Sequence, residues 1–235
     1  MHKKNISFAF SLGIIVLGFG LFESCQSNNK MNDYQGTPFS NSQYNAGNQT
    51  IPGKLQCEFY DLGGEGIAYH DTDTINSGSG GLNPADGTYL HEFRMDEPVD
   101  ISYTKFQDPP IDNNPYNFVE PEKDQLYVGW TKSCEWVKYT VNVQKTGTYQ
   151  LGIMFTSNKD GKISIAVNDM DVTGPILIPS TFVVADTVAW RQWHHWNYLE
   201  KIASIDLKKG IQTITLHTVD IGDMNYDYIN FELVK

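Results

Sequence analysis

The sequence predicts an all-β protein, a β-sandwich of the jelly-roll type. Short runs in which apolar and polar residues alternate recur along the second half of the chain, as is typical of half-buried strands. Gly, Asn and Asp separate these runs at near-regular spacing, and no stretch keeps the helical period over three turns. Many short strands with turn residues between them favour a sandwich or jelly roll.

The clearest strand begins at Glu135, after which alternate positions are apolar: Val137, Tyr139, Val141 and Val143. A turn at 145–147 leads to a second strand with the same pattern, so the two strands are predicted to form a hairpin. Further strands are predicted at 163–167, 211–217 and 226–234. Two long segments rich in Gly, Pro, Asn and Asp, roughly 72–88 and 103–123, are predicted to be loops. Binding sites commonly lie on such loops when a rigid sheet supports them.

The N-terminal residues 1–24 are predicted to be a lipoprotein signal peptide. Lys3 and Lys4 precede an apolar stretch that is short for a bilayer span, which needs roughly 20 apolar residues. The stretch ends at Cys25 in a sequence that resembles a bacterial lipobox, although Glu23 departs from the usual pattern. We therefore expect lipidation at Cys25 and an extracytoplasmic position, at the outer membrane or cell surface, with membrane contact only through the lipid. Ordinary signal cleavage is the alternative.

The rest of the chain divides into a tether and one module. Residues 25–52 are rich in Asn, Gln, Ser and Gly and are predicted to be a flexible polar tether, because they cannot bury enough apolar surface. Residues 53–235 are long enough for one domain with a sizeable core. The net charge of −11 argues against a nucleic-acid partner, since phosphate binding needs a basic face. Cys57 and Cys134 would lie where a disulfide is allowed, and two free thiols are the alternative.

Six short motifs follow one another along the module: LQCEFY at 55–60, GGEGIAYHD at 63–71, DEPVDIS at 96–102, VGW at 128–130, the strand opened by Glu-Trp at 135–136, and NYDYINF at 225–231. In this order they resemble a family 6 carbohydrate-binding module, a jelly-roll domain that is usually attached to polysaccharide-degrading enzymes. The chain departs from the family pattern with Gln56 and Cys57, where the opening strand usually reads Glu-Ala, and with Cys134, where a glycine is common.

The resemblance implies a glycan-binding cleft formed by loops at one end of the sandwich, with contacts at Trp130, Trp190, Asn225 and His70. A flat aromatic ring can cover the C–H face of a pyranose, while the sugar hydroxyls need hydrogen bonds that an amide can provide. The implied partner is a polysaccharide or oligosaccharide, with glycan-degrading enzymes as further partners. Of the other tryptophans, Trp136 is expected in the core, and Trp193 and Trp196 in the core or on a sheet face.

The resemblance also implies a structural calcium ion, held by Gln56, Glu58 and Asp227. Ligands that offer only oxygen suit calcium, which takes about 6 to 8 of them. Because Gln56 is neutral, a lowered affinity is expected. If no ion binds, Glu58 and Asp227 would be solvated strand termini.

No catalytic machinery is predicted. His194 and His195 are adjacent on an expected strand and would point to opposite faces, so they cannot easily share a metal. No Cys-x-x-Cys pair, His-Glu-x-x-His motif or phosphate-binding loop is present in the sequence. A non-catalytic binding protein is therefore expected. The alternatives are a protein-protein adhesion module and a small jelly-roll glycoside hydrolase or lyase that uses loop carboxylates such as Asp71, Asp73 and Asp112.

Overall fold

The computed structural model describes residues 34–40, 47–76, 78, 93–106 and 111–234. Over these residues two β-sheets pack face to face, which confirms the predicted all-β sandwich. Within this part of the chain, no helix is long and apolar enough to cross a bilayer. The predicted signal peptide, the predicted lipidation site at Cys25 and much of the loop predicted at 72–88 lie outside the described residues.

The described residues form thirteen strands: β1 (Gln49–Ile51), β2 (Gly53–Gln56), β3 (Tyr69–His70), β4 (Ile101–Tyr103), β5 (Leu126–Val128), β6 (Trp136–Val143), β7 (Gly147–Ser157), β8 (Gly161–Val167), β9 (Met170–Asp171), β10 (Ile176–Ile178), β11 (Asn197–Leu207), β12 (Gly210–Asp220) and β13 (Met224–Leu233). Two short 3-10 helices cover Cys57–Phe59 and Ala189–Trp193.

The strands divide between two sheets. The first sheet has the order β1-β6-β12-β8-β10, with β3 added to β6 and β9 added to β8. The second sheet has the order β11-β7-β13-β5-β4, with β2 added to β13. The predicted hairpin is split between the sheets, because β6 pairs with β12 while β7 pairs with β11 and β13.

The alternating residues of the sequence supply the core between the sheets. In β6 the four inward side chains identified from the sequence are all buried, and they pack with the inward side chains of β7. Full burial of each large apolar side chain contributes roughly 1.5–3 kcal/mol relative to exposure. On the outer face of β6, Lys138 is buried and forms an ion pair with Asp169, with 2.6 Å between Nζ and Oδ1. The period-two pattern therefore sets which face of each strand looks inward.

The folded body begins earlier than the sequence indicated. Strand β1 pairs in parallel with β6, and Ile51 is fully buried. Residues 34–40 also pack on the body, where Phe39 stacks on Phe59 with ring centroids 5.4 Å apart. The tether predicted over 25–52 is therefore corrected at 34–40 and 47–52, because isolated apolar residues in this polar segment find partners on the sandwich.

The structure also revises the placement of several side chains. Trp196 is fully buried, as expected, but Trp136 is only half-buried because it lies on the outer face of β6 beside His217. Cys57 is buried and Cys134 is exposed, and no disulfide joins the two residues.

Candidate functional site

A cleft of about 600 Å³ lies at the end of the second sheet where β5 and β7 end and β11 and β13 begin. This volume is within the range of small-ligand pockets. Six ring-bearing residues contribute to its lining: Tyr103, Tyr127, Trp130, Trp190, Trp193 and His194. They come from β4, β5, the loop after β5 and the segment before β11. The fold therefore brings together aromatic residues that are far apart in the sequence.

Trp130 is presented by a left-handed backbone conformation in the loop between β5 and β6. Its φ is 50°, which is uncommon for a bulky residue, and its side chain is 36% exposed. Its backbone N–H donates to Asn225 Oδ1 at 3.2 Å. The preceding Gly129 permits this approach, because a Cβ there would lie 2.9 Å from the same oxygen. The loop thus holds an apolar ring at the solvent boundary.

Asn225 lies at the base of the cleft and is almost completely buried. Its Nδ2 donates to Thr156 Oγ1 at 2.9 Å and to the backbone oxygen of Trp193 at 2.8 Å. Both amide hydrogens are therefore used within the protein, and only Oδ1 keeps acceptor capacity. Asn225 connects the Trp130 loop to the Trp193 segment, while its direct contact with a sugar stays a prediction.

Trp190 and Trp193 lie on the 3-10 helix Ala189–Trp193, where a strand had been expected for Trp193. The buried carboxylate of Asp186 accepts two hydrogen bonds from Arg191, each 2.7 Å long, and lies 2.8 Å from Nε2 of the fully buried His195. The Arg191 bonds hold the pKa of Asp186 well below its usual range. This charged network fixes the segment and leaves the Trp190 side chain 51% exposed in the cleft.

Most charged side chains at the cleft lie next to a side chain of opposite charge. Asp73 is paired with the ammonium group of Lys132, and Asp223 lies 3.0 Å from Lys159 Nζ. Burial lowers the pKa of Lys105, and this effect is opposed by the nearby carboxylate of Asp112. The lining therefore offers rings and polar atoms without a strong excess of one charge.

His70 does not join the other three predicted contacts. It lies on β3, pairs with Glu65 and adjoins a separate small void together with Asp71 and Trp136. From the same region of the chain, Asp73 rather than His70 reaches the tryptophan cleft. Trp193 and His194 were not predicted as cleft residues, because a strand was expected through 193–196. Trp193 instead ends a 3-10 helix and His194 follows it directly, which places both side chains in the cleft lining.

The predicted calcium ligands lie near the pairing of β2 with β13, and none of them lines the tryptophan cleft. Glu58 and Asp227 are both buried, and Glu58 Oε2 and Asp227 Oδ1 have no hydrogen-bond partner among the described residues. Burial and the charge of Asp227 raise the pKa of Glu58, and burial raises that of Asp227 to about 8. Gln125 Nε2 donates to Glu58 Oε1 at 3.1 Å and lies 3.4 Å from Gln56 Oε1.

This arrangement fits a cation chemically, since buried carboxylates without partners are costly unless a positive charge compensates them. The donor set is small, however. The described residues contain no group of three or more His, Cys, Asp or Glu side chains suited to hold a metal.

A β-sandwich that carries an aromatic-lined cleft among its loops is a ligand-binding module in architecture. Residues 111–233 match the family model described as carbohydrate binding module, family 6. Because this match spans more than half of the chain, the protein belongs to that family of carbohydrate-binding modules.

Several solved structures are similar to this chain. The C-terminal family 6 module of a laminarinase from Zobellia galactanivorans is 18% identical, over 46% of this chain and 81% of that chain, with a TM-score of 0.38. A carbohydrate-binding module of a Cellvibrio mixtus lichenase, solved with cellotriose, is 20% identical over 47% and 79%, also at 0.38. A Clostridium stercorarium module solved with cellobiose is 12% identical over 80% and 98%, at 0.46. No curated protein matches the sequence.

Proposed function

We propose that this protein binds a polysaccharide or oligosaccharide in the tryptophan cleft and does not cleave it. The observation that carries the proposal is the convergence of Trp130, Trp190 and Trp193 on one cleft of about 600 Å³. Indole rings can cover the C–H faces of sugar rings, and the polar atoms between them can bond the hydroxyls. The family to which the chain belongs supports the same ligand class.

The exposure of the two outer rings supports a binding role. Trp190 is 51% exposed and Trp130 is 36% exposed, whereas Trp196 is completely buried in the same molecule. Apolar rings grouped at the surface and rimmed by polar side chains mark binding sites. In this proposal Trp130 and Trp190 hold a sugar ring between them, and Trp193 extends the apolar surface.

The three carboxylates that the sequence suggested for catalysis are poorly placed for glycoside cleavage, which normally uses two carboxyl groups that flank the bond. Asp73 is paired with Lys132, and Asp112 is fully buried and hydrogen-bonded. Asp71 has a pKa raised to about 7 by burial, which would suit a general acid, but it adjoins the void beside His70. We therefore favour binding, with glycan-degrading enzymes as functional partners of the protein.

Native affinity gels test the proposal directly. The purified protein is run through gels that contain laminarin, lichenan, xylan or agarose, and the same mixtures are assayed for new reducing ends and unsaturated products. Retarded migration without products supports a binding protein. Product formation supports the hydrolase or lyase alternative, and the absence of both supports the adhesion alternative.

The site of attachment is part of the proposal. Lipidation at Cys25 would hold the protein at the outer membrane or cell surface, which the apolar stretch before Cys25 supports. Residue Tyr34 already packs on the sandwich, where its hydroxyl donates to Asp61 at 2.8 Å. The chain between Cys25 and Tyr34 can span at most roughly 30 Å, so the lipid anchor would keep the module close to the membrane surface.

Calcium is the proposed structural ion, with Gln56, Glu58 and Asp227 as its ligands. A bound divalent cation would neutralise the two buried carboxylates. Glu58 follows β2 and Asp227 lies in β13, so the ion would join the two ends of the module. The two unpartnered carboxylate oxygens support this role.

A further inference from the structure

His194 forms part of the cleft wall directly after the helical turn that carries Trp190 and Trp193. Its ring meets the Trp190 ring edge to face, with centroids 6.4 Å apart. Its side chain is 17% exposed, and its Nδ1 lies 2.9 Å from Asp112 Oδ1. One side of the imidazole therefore faces a buried carboxylate, and the ring adjoins the proposed sugar site.

The surroundings of Asp112 determine which nitrogen of His194 carries the proton. Asp112 is fully buried, and its Oδ1 accepts from Trp196 Nε1 at 2.7 Å, while its Oδ2 accepts from the Lys105 backbone N–H at 2.7 Å. An indole N–H and a backbone N–H can only donate. Asp112 is thus an acceptor at both oxygens, and the third contact is satisfied when His194 Nδ1–H donates as well.

A proton on Nδ1 leaves the neutral ring with a lone pair on Nε2. His194 Nε2 has no hydrogen-bond partner within the described part of the chain. Several other polar groups of the cleft are engaged within the protein, since Asn225 uses both amide hydrogens and the carboxylates of Asp73 and Asp223 are paired with lysines. In its neutral form, His194 therefore supplies a hydrogen-bond acceptor beside Trp190.

We infer that His194 is a specificity-determining contact of the cleft, whose Nε2 accepts a hydrogen bond from a free hydroxyl of the bound glycan. The inference rests on the proposed glycan-binding function. Asp112 is a positioning residue, because it orients the ring and fixes the tautomer through Nδ1. The recognised class is a glycan with an unsubstituted hydroxyl next to the ring stacked on Trp190. A sulfate ester, acetyl ester or methyl ether at that hydroxyl removes the donated hydrogen and is rejected.

The substitution His194→Asn tests the roles of the two ring nitrogens separately. The asparagine amide can still donate to Asp112 from about the position of Nδ1, but it places no acceptor at the position of Nε2. The unpaired sugar hydroxyl should then weaken binding roughly 5- to 150-fold, while melting stays close to that of the wild type. His217→Asn is the matched control, because His217 lies on β12 beside Trp136, outside the cleft.

The experiment compares wild type, His194→Asn, His217→Asn and Trp190→Ala in native gels with laminarin, lichenan, xylan and agarose at several concentrations. Loss of retardation in His194→Asn and Trp190→Ala, but not in His217→Asn, supports the inference. If Trp190→Ala loses retardation and His194→Asn does not, His194 makes no such contact and the glycan-binding proposal stands. If no polysaccharide retards the wild type, the proposed function fails, and the inference fails with it.

A second measurement addresses the tautomer without any ligand. The imidazole ¹⁵N resonances of His194, assigned by their loss in His194→Asn, should indicate a protonated Nδ1 and an unprotonated Nε2 at pH 7.5. A ring protonated on Nε2, alone or together with Nδ1, would overturn the inference.

Discussion

Replacing Trp190 by alanine tests the cleft most directly, because the change should remove binding with little effect on folding. The Trp190 side chain is 51% exposed and lies on a segment that the Asp186 network holds independently of the ring. Its packing within the protein is limited, and it meets the His194 ring edge to face. The loss of stability should therefore be well below the roughly 3–5 kcal/mol that a fully buried tryptophan costs.

The expected loss of binding follows from the exposed area of the ring. A tryptophan side chain presents roughly 150–250 Å², so about half of that area is open on Trp190. A sugar that covers one face would bury about 40–60 Å² of it, worth about 1–1.5 kcal/mol. For the stacking of the sugar on the ring we take the value for a pair of aromatic rings, about 0.5–1.5 kcal/mol. The sum of about 1.5–3 kcal/mol corresponds to a dissociation constant that is roughly 10- to 150-fold larger, and therefore to weaker binding.

Titration calorimetry with an oligosaccharide of the retained polysaccharide, together with thermal melts, measures both effects. Phe182→Ala is the matched control, since Phe182 is 50% exposed and does not line the cleft. Unchanged binding by Trp190→Ala would refute the assignment of the cleft. Equal losses in both variants would indicate a general effect on the fold rather than a lost ring contact.

Three further predictions concern the ion, an acidic side chain and the anchor. Calcium at about 100 times its dissociation constant should stabilise the wild type by about 2.7 kcal/mol relative to chelator. The Asp227→Asn variant should lose this stabilisation. If the wild type melts at the same temperature with calcium and with chelator, the proposal of a structural calcium ion is wrong. Burial raises the pKa of Asp71 from 3.8 to about 7. Because the pKa of Asp71 is higher in the folded state than in the unfolded state, its protonation stabilises the fold. This contribution to the free energy of unfolding is complete below about pH 4 and is lost as pH rises through about 7. Solvent screening at this half-buried site limits the effect to about 2 kcal/mol or less. Urea unfolding at several pH values should show a weaker pH dependence for Asp71→Asn, and a profile parallel to that of the wild type would exclude Asp71 as the source. Cys25→Ser should move the protein from the membrane fraction to the soluble fraction of its host, and a soluble wild type would contradict lipidation.

Unbroken alternation made β6 and β7 the clearest strands in the sequence. Strands β6 and β7 were predicted because their inward residues alternate without interruption, and the structure confirms both. Strand β11 was missed although it has eleven residues, because its register shifts between Leu199 and Ala203 and Lys201 adopts a φ of 57°. A bulge of this kind moves apolar residues out of the period of two. An interruption of this length in β11 therefore removed the local alternation by which the other long strands were predicted.

The cleft could be predicted only in part for a related reason. Trp130 ends the VGW motif at 128–130, and Trp190 was assigned through the family resemblance, so the place of both among the loops could be expected. Trp193 and His194 gave no such signal, because a 3-10 helix of five residues leaves no periodic pattern. The internal hydrogen bonds of Asn225 depend on Thr156 and on the Trp193 backbone, which lie far from it in sequence. Contacts of this range follow from the packed fold and not from local composition.

Three buried polar side chains hold the rings of the cleft in place before any ligand arrives. Asn225 bonds the backbone of Trp130 and Trp193, Asp186 holds the segment that carries Trp190, and Asp112 bonds His194. Because these groups are removed from solvent, breaking their bonds would leave unsatisfied polar atoms at a cost of about 1–3 kcal/mol each. Rings fixed in this way lose little conformational entropy when a ligand binds, so more of the contact energy appears as affinity. The buried polar residues therefore contribute to binding by positioning the aromatic residues that meet the ligand.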